Sequence, residues 1–321
     1  MATSSCTMIG THAGSTGTLN DSAVKVITTL RKDRFLRETV LGRFSRMVFL
    51  VRFFSERQCF STLFNRDASQ YARSMEYGQW SPSVDEALHV LFTESAGVGA
   101  PVAVFDADGT LWSGDASEDF LAYVDKHDLF RPAEEIGPIF SHHSTLYEHD
   151  QHQAHVFAVQ VCEGQRESQV VDWANACFED HAAKRVFPEM SALIRALHAL
   201  HWRVYIVTAS PVWVVRPGAR LLGVPDECVL AVDVEKSEGI LTNRIREPMS
   251  MGEGKVACIR QSIGREPLLA VGNSWDDVPM MTHATGLAIV VNPSETDGDR
   301  SSLRQLALDR GWAVHYMANE S

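Results

Sequence analysis

Short apolar runs recur along the second two-thirds of the chain, and each stops at a polar residue. Pro101-Val-Ala-Val-Phe105, Arg203-Val-Tyr-Ile-Val207, Leu268-Leu-Ala-Val271 and Leu287-Ala-Ile-Val-Val291 are too short for core helices and apolar on both faces. They read as buried parallel strands. Amphipathic spacing between and before them predicts helices over 82–95, 188–200, 211–222 and 255–263. Strand, polar turn and helix in alternation predict an α/β fold, a doubly wound, Rossmann-like parallel sheet. In such a sheet ligands gather at the carboxyl ends of the strands. One stretch breaks the rhythm: residues 114–186 carry helical patterns and no strand, as a helical cap inserted after the first strand would. A second irregularity, from Val229 to Thr242, alternates and turns at Glu238-Gly239, which predicts a β-hairpin.

Charge divides the chain further. The 321 residues carry a net charge of −12, which argues against a general nucleic-acid binder. Residues 1–75 hold 11 Lys/Arg against 5 Asp/Glu, a balance of +6 that leaves −18 on the rest. The break predicts a basic N-terminal extension over 1–75, a core over 76–113 and 187–321, and the cap over 114–186. Within the extension, Arg31, Lys32, Arg34, Arg37, Arg43, Arg46, Arg52 and Arg57 fit a plain N-terminal extension, a membrane-surface helix, an organellar presequence or a regulatory arm. No apolar run approaches the roughly 20 residues of a membrane span. Six scattered cysteines without a C-x-x-C pair read as reduced thiols, and with no secretory signal pattern the expected location is the cytoplasm.

The candidate chemistry sits where the strands end. Asp106-Ala-Asp108-Gly-Thr-Leu-Trp112 places two carboxylates two residues apart on a strand-to-loop transition. The first can attack phosphorus as a nucleophile, and the second can act as acid and then base. Two such neighbours call for a cation, and a hard oxygen-rich site suits Mg²⁺. Gly109 lets the backbone approach phosphate oxygens. Thr208-Ala209-Ser210 follows the next strand with a hydroxyl and backbone N–H groups suited to phosphate. Lys255 opens a helix and can neutralise a transferring phosphoryl group. Gly272-Asn-Ser-Trp-Asp-Asp277 brings carboxylates to the end of a further strand. Each motif alone has a plain structural explanation as a turn, a cap or a surface lysine. Their order, each at a strand end or helix start, is what one active-site rim requires.

Taken together, the four motifs resemble those of the haloacid dehalogenase (HAD) superfamily, over roughly residues 100–292. The insertion after the first motif, the Gly239–Arg244 hairpin and the Asp276-Asp277-Val-Pro-Met280 pattern are similar to the phosphoserine-phosphatase-like branch with a helical C1 cap. The resemblance implies Asp106 as nucleophile, Asp108 as acid/base, and Gly109, Thr208, Ala209 and Lys255 as phosphate-binding residues. It also implies Mg²⁺ held by Asp106, Asp108, Asn273 and Asp277. Asn273 departs from the pattern, since an amide stands where the family has its first motif-four carboxylate, and one negative charge is lost unless Asp276 compensates. A carboxylate at position 108 argues for a phosphatase over a dehalogenase.

The implied substrate is a small phosphorylated metabolite. Asp115 stands nine residues after Asp106, the spacing at which the branch binds a substrate amine, and Glu118 lies beside it. Both suit an amine-bearing substrate of the phosphoserine, phosphoethanolamine or phosphocholine type, or else serve as acids at a helix start. Trp112 and Trp213 either stack on a quaternary ammonium or belong to the core. His149, His152 and His155, spaced i, i+3, i+6, fall on roughly one helical face, a polar face over the site more than a zinc centre. Competing readings are a sugar-phosphate or nucleotide phosphatase, and a weakly active HAD-fold binding protein.

Overall fold

A computed structural model describes residues 77–132, 136–293 and 302–317, all within one compact unit. The basic extension over 1–75 lies outside the described residues. Six strands form one sheet in the order β3 (Val229–Val232), β2 (Arg203–Pro211), β1 (Val102–Phe105), β6 (Leu269–Gly272), β7 (Leu287–Val291) and β8 (Ala313–His315), every neighbouring pair parallel. Central β1 (Val102–Phe105) pairs with β2 (Arg203–Pro211) on one side and β6 (Leu269–Gly272) on the other, and β7 (Leu287–Val291) continues beyond β6. These four are the strands that the apolar runs predict.

Alternation along the strands builds two cores from one sheet. Ala103, Phe105, Val204, Ile206, Leu269, Val271, Ile289 and Val291 point into the larger core. Val102, Val104, Tyr205, Val207, Ala270, Ala288 and Val290 point into the other. A strand buried on both faces has no polar position to alternate, so the runs are continuous. Each large side chain so buried contributes about 1.5–3 kcal/mol.

The helices Pro82–Glu94, Pro188–Ala199, Val212–Leu221 and Glu253–Ile263 match the amphipathic segments within two residues at each end. Two edge strands were not expected. β3 (Val229–Val232) belongs to the hairpin in the sequence reading, yet it pairs parallel with β2, and only β4 (Val234–Ser237) and β5 (Ile240–Ile245) form the hairpin. Its turn places Glu238 and Gly239 at φ 51° and 78°, a conformation that glycine adopts without strain. β8 (Ala313–His315) closes the other edge.

Over 114–186, between β1 and β2, the described residues form the helices Ala116–His127, Ile139–His149, Gln151–Gln160 and Glu167–Asp180, with a short 3₁₀ turn at Ala182–Arg185 and no named strand. The two chain crossings into this insertion are stitched together. Ser113 N–H donates to the Arg185 carbonyl (3.0 Å), and Phe187 N–H donates to the Leu111 carbonyl (3.0 Å). The β4–β5 hairpin grips the insertion from the core side. Gly164 N–H donates to Leu241 O, Leu241 N–H to Gln165 O and Glu167 N–H to Gly239 O, each at 2.9 Å. The histidine face of the sequence reading does not form. Asp150 is extended (φ −152°) and caps the next helix through Gln153 N–H, so His149 ends one helix while His152 and His155 lie on another. Among the described residues no helix is long and apolar enough to cross a membrane.

Gly218 sits where the insertion meets the core. A Cβ there would lie 2.5 Å from a Trp112 ring carbon and 2.7 Å from Phe178, two rings in edge contact with little room to move. Gly218→Ala should therefore lower stability by about 1–3 kcal/mol, against its better helix propensity, as read by denaturant unfolding. A gain in stability would show that the junction is loosely packed.

Candidate active site

The end of β1 turns sharply. Thr110 and Leu111 N–H donate back to the Ala107 carbonyl at 3.1 and 2.7 Å, Gly109 N–H donates to Trp112 O at 2.9 Å, and Gly109 takes φ 73°. This turn brings Asp106 and Asp108 to one cavity of about 460 Å³ at the carboxyl edge of the sheet. Gly109, Asp115, Thr208, Ala209, Lys255 and Asn273 line the same cavity. Glu118 and Asp277 do not.

Lys255 organises this floor. The residue is 1% exposed, and its ammonium donates to Asp106 Oδ1 at 2.8 Å and to Asp277 Oδ1 at 2.5 Å, with Asp276 Oδ2 at 3.6 Å. Burial alone would push the lysine down, but the three carboxylates hold its pKa above the ordinary value. Asp277 is fully buried, and its other oxygen accepts from Asn273 N–H (2.9 Å), Ser274 N–H (3.0 Å) and the Ser274 hydroxyl (3.0 Å). Both oxygens of Asp277 are thus spent on fixing Lys255 and the loop after β6. Burial raises Asp106 to about 7, with Asp277 adding to the rise and Lys255 opposing it.

Asp108 is held from the other side. The Trp112 indole N–H and the Ala116 N–H donate to Oδ1 at 2.7 Å each, and the Ser210 hydroxyl donates to Oδ2 at 2.5 Å. Burial and nearby Asp115 raise it to about 7, while those three donors pull the other way. Asp115 caps the helix Ala116–His127 through one oxygen, which accepts from Ser117 and Glu118 N–H at 2.7 and 3.0 Å. Burial raises its pKa to about 6.

Trp112 and Trp213 are core residues, 0% and 1% exposed, and neither lines the cavity. The aromatic rings that do are Tyr147 and Trp275, joined by Gln151 and His155 from the insertion. Trp275 lies within the Gly272–Asp277 motif, but no sequence motif marks Tyr147 or Gln151. The helix break at Asp150 turns Tyr147, Gln151 and His155 toward the site, and a capping Asp inside a polar run is a weak signal.

Thr110 Oγ1 lies 3.3 Å from both Asp106 Oδ2 and Asn273 Oδ1. A carboxylate and an amide oxygen therefore converge on the side of Asp106 away from Lys255. Hard oxygen donors of this kind fit Mg²⁺. Among the described residues no group of three or more His, Cys, Asp or Glu is placed to hold a metal ion.

A family model for haloacid dehalogenase-like hydrolases matches residues 103–282, which span the floor from β1 to the loop after β6. The chain belongs to that family. A Mycobacterium leprae protein named as a hydrolase is 27% identical over 66% of this chain and 71% of its own length. A Mycobacterium tuberculosis protein named "probable phosphatase" is 37% identical over 48% of this chain and 52% of its own. A solved Bordetella pertussis structure of unknown function shares the fold, with a TM-score of 0.57 and 24% identity over 67% of this chain and 98% of that one.

Two outcomes follow from the buried charges. Lys255→Met should destabilise the protein by about 3–5 kcal/mol, because it strands buried carboxylates; unfolding within 1 kcal/mol of wild type would show that they are solvated. In metal-free protein, burial raises Asp108 to about 7 when folded, whereas it ionises near its ordinary value of 3.8 when unfolded. The folded state then binds more protons between these values, so chelator-treated protein should lose stability as pH rises through that window. A melting temperature that climbs instead would contradict the placement of this group.

Proposed function

We propose that the chain is a Mg²⁺-dependent phosphomonoester hydrolase working through an aspartyl-phosphate on a small, amine-bearing substrate. The observation that carries this reading is the pairing of Asp106 with Asp108. The first is oriented by Lys255 and Thr110, and the second is held by a separate set of donors on the same cavity. The two environments suit different roles. The name of the tuberculosis relative supports the phosphatase reading, as does the likeness of the motifs to the phosphoserine-phosphatase-like branch.

A carboxylate oxygen of Asp106 attacks phosphorus, the bond to the leaving alkoxide breaks, and Asp108 gives that oxygen its proton. Asp108, now ionised, takes a proton from water, whose oxygen attacks the aspartyl-phosphate. Phosphate leaves and Asp106 is regenerated as carboxylate. Thr208 and Ala209 receive phosphate oxygens, and Lys255 offsets their charge. Asp106, Asn273 and the Asp108 segment would hold Mg²⁺, which supplies positive charge against the phosphoryl group. Asp277, with both oxygens occupied, is assigned to positioning Lys255 and the 273–274 loop. The 114–186 insertion acts as the cap that covers the site. Asp115 uses one oxygen as a helix cap, and its other oxygen receives the substrate's ammonium.

Hydrolysis of p-nitrophenyl phosphate with Mg²⁺ tests the reading. Wild type should turn over; Asp106→Asn should abolish turnover, and Asp108→Asn should reduce it by about 10²–10⁴-fold. No turnover on a broad phosphomonoester panel would overturn the assignment. Asn273→Asp should tighten Mg²⁺ by about tenfold through the added ligand charge, measured by calorimetry. Unchanged affinity would place the metal elsewhere.

A further inference from the structure

Thr208 and Lys255 face the same cavity from segments that the sheet does not join. β1 stops pairing with β2 at Phe105 and Ile206. On the other side, the pairing of β2 with β3 passes from Val207 and Leu230 to Pro211 and Val232, so β2 advances four residues while β3 advances two. Thr208-Ala209-Ser210 is therefore a bulge, and it bulges where β2 meets the cavity. A bulge re-aims its own groups but interrupts the ladder, and a buried backbone carbonyl still needs a partner. Thr208 is only 2% exposed.

The Thr208 carbonyl finds that partner across the fold. The hydroxyl of Ser250, a residue 1% exposed, donates to it at 2.6 Å from a loop 42 residues further along the chain. The carbonyl and the Ala209 N–H belong to one planar trans peptide and point opposite ways, so anchoring the first aims the second. Thr208 Oγ1 is fixed as well, because it accepts from Ser210 N–H at 3.2 Å. One lone pair of that oxygen is taken, and its O–H is the part left to meet a phosphate oxygen.

Ser250 is itself held on both sides. Met249 N–H donates to the Glu247 carboxylate at 3.0 Å, and Met251 N–H to the Met249 carbonyl at 2.9 Å. Gly254 N–H then donates to Met251 O at 2.7 Å and Lys255 N–H to Gly252 O at 3.1 Å. The chain thus coils tightly from Ser250 into the helix Glu253–Ile263, which carries Lys255. One hydroxyl ties the Thr208–Ala209 peptide to the loop that delivers the lysine.

We infer that Ser250 is a positioning residue for phosphate, holding the two halves of the phosphate cradle in one geometry. It does not line the cavity, so it acts through Thr208, Ala209 and Lys255 and not by contact. The inference rests on the hydrolase reading above and adds to it a residue outside the four motifs. The proposed metal ligands Asp106 and Asn273 stand at the ends of β1 and β6, so a loss confined to the Thr208–Ala209 peptide should spare them.

Ser250→Ala removes only the hydroxyl oxygen. Calorimetry on the full chain measures inorganic phosphate at fixed Mg²⁺, and Mg²⁺ by itself. The variant should bind phosphate about tenfold more weakly, with Mg²⁺ affinity within about twofold of wild type. For p-nitrophenyl phosphate, KM should rise about tenfold while kcat stays within about threefold, as when ground and transition states lose the same contact. Ser250→Cys keeps the shape with a weaker donor and should fall between the two. Should the alanine variant not fold, the cysteine variant decides, with phosphate weakened about threefold and Mg²⁺ unchanged. Phosphate affinity equal to wild type in the variants would overturn the assignment. Phosphate and Mg²⁺ weakened alike would overturn it too, by showing a structural role only. A wild type that binds phosphate with this dependence on Ser250, yet hydrolyses nothing on a phosphomonoester panel, would sink the hydrolase reading and leave the positioning role standing.

Discussion

The buried ammonium of Lys255 is the constraint around which the site is arranged. A lysine buried to 1% exposure is tolerable only beside negative charge, and three separate carboxylates supply it from the ends of β1 and β6. Backbone geometry makes the meeting possible. A Cβ on Gly254 would lie 1.9 Å from the Met249 carbonyl oxygen, so only glycine lets that loop pass close enough to bury the next residue. On Gly272 a Cβ would lie 2.5 Å from that of Asp277, so glycine also lets Asp277 fold back beneath β6. Such a buried network is poor evidence for stability, since desolvation offsets much of the attraction. Strong mutual perturbation of titratable groups in a cleft is better evidence for chemistry.

Asp108 answers to a different constraint and ties the chemistry to the insertion. Its donors are Trp112 on its own loop, Ala116 at the start of the first inserted helix, and Ser210 beyond β2. The partial positive charge of that helix start faces the carboxylate. Trp112 in turn packs edge-on against Phe178 of the last inserted helix, and Gly218 of the core leaves room for both rings. A shift of the insertion would therefore reach Asp108 through contacts that are both packed and hydrogen-bonded, while Asp106 and Lys255 rest on the core alone.

What the sequence made legible follows from where each element lies. β1, β2, β6 and β7 carry buried positions on both faces, so their apolar runs stand out. β3 and β8 are short edge strands, each with two half-buried positions, and periodicity does not separate them from a hairpin or a loop. The motifs at the strand ends were legible as residue types in order. Their division of labour was not: whether Asp277 turns its oxygens to a metal or to Lys255 depends on the fold of the 273–277 loop. The tryptophans illustrate the same limit. Spacing puts Trp112 and Trp213 near the site, but packing assigns them to the core and gives the cavity Tyr147 and Trp275 instead.

Asn273 connects the two halves of the electrostatic argument. A carboxylate there would add a further negative charge to a cavity that already sets four aspartates against one engaged lysine. The amide removes that repulsion toward an incoming phosphate and keeps an oxygen within 3.3 Å of the Thr110 hydroxyl that also touches Asp106. Its nitrogen lies close over Gly109, where a Cβ would come within 2.1 Å, so the amide and the glycine must be accepted together. For the proposed reaction, the exchange would weaken the pull on a divalent cation and ease the approach of a dianion.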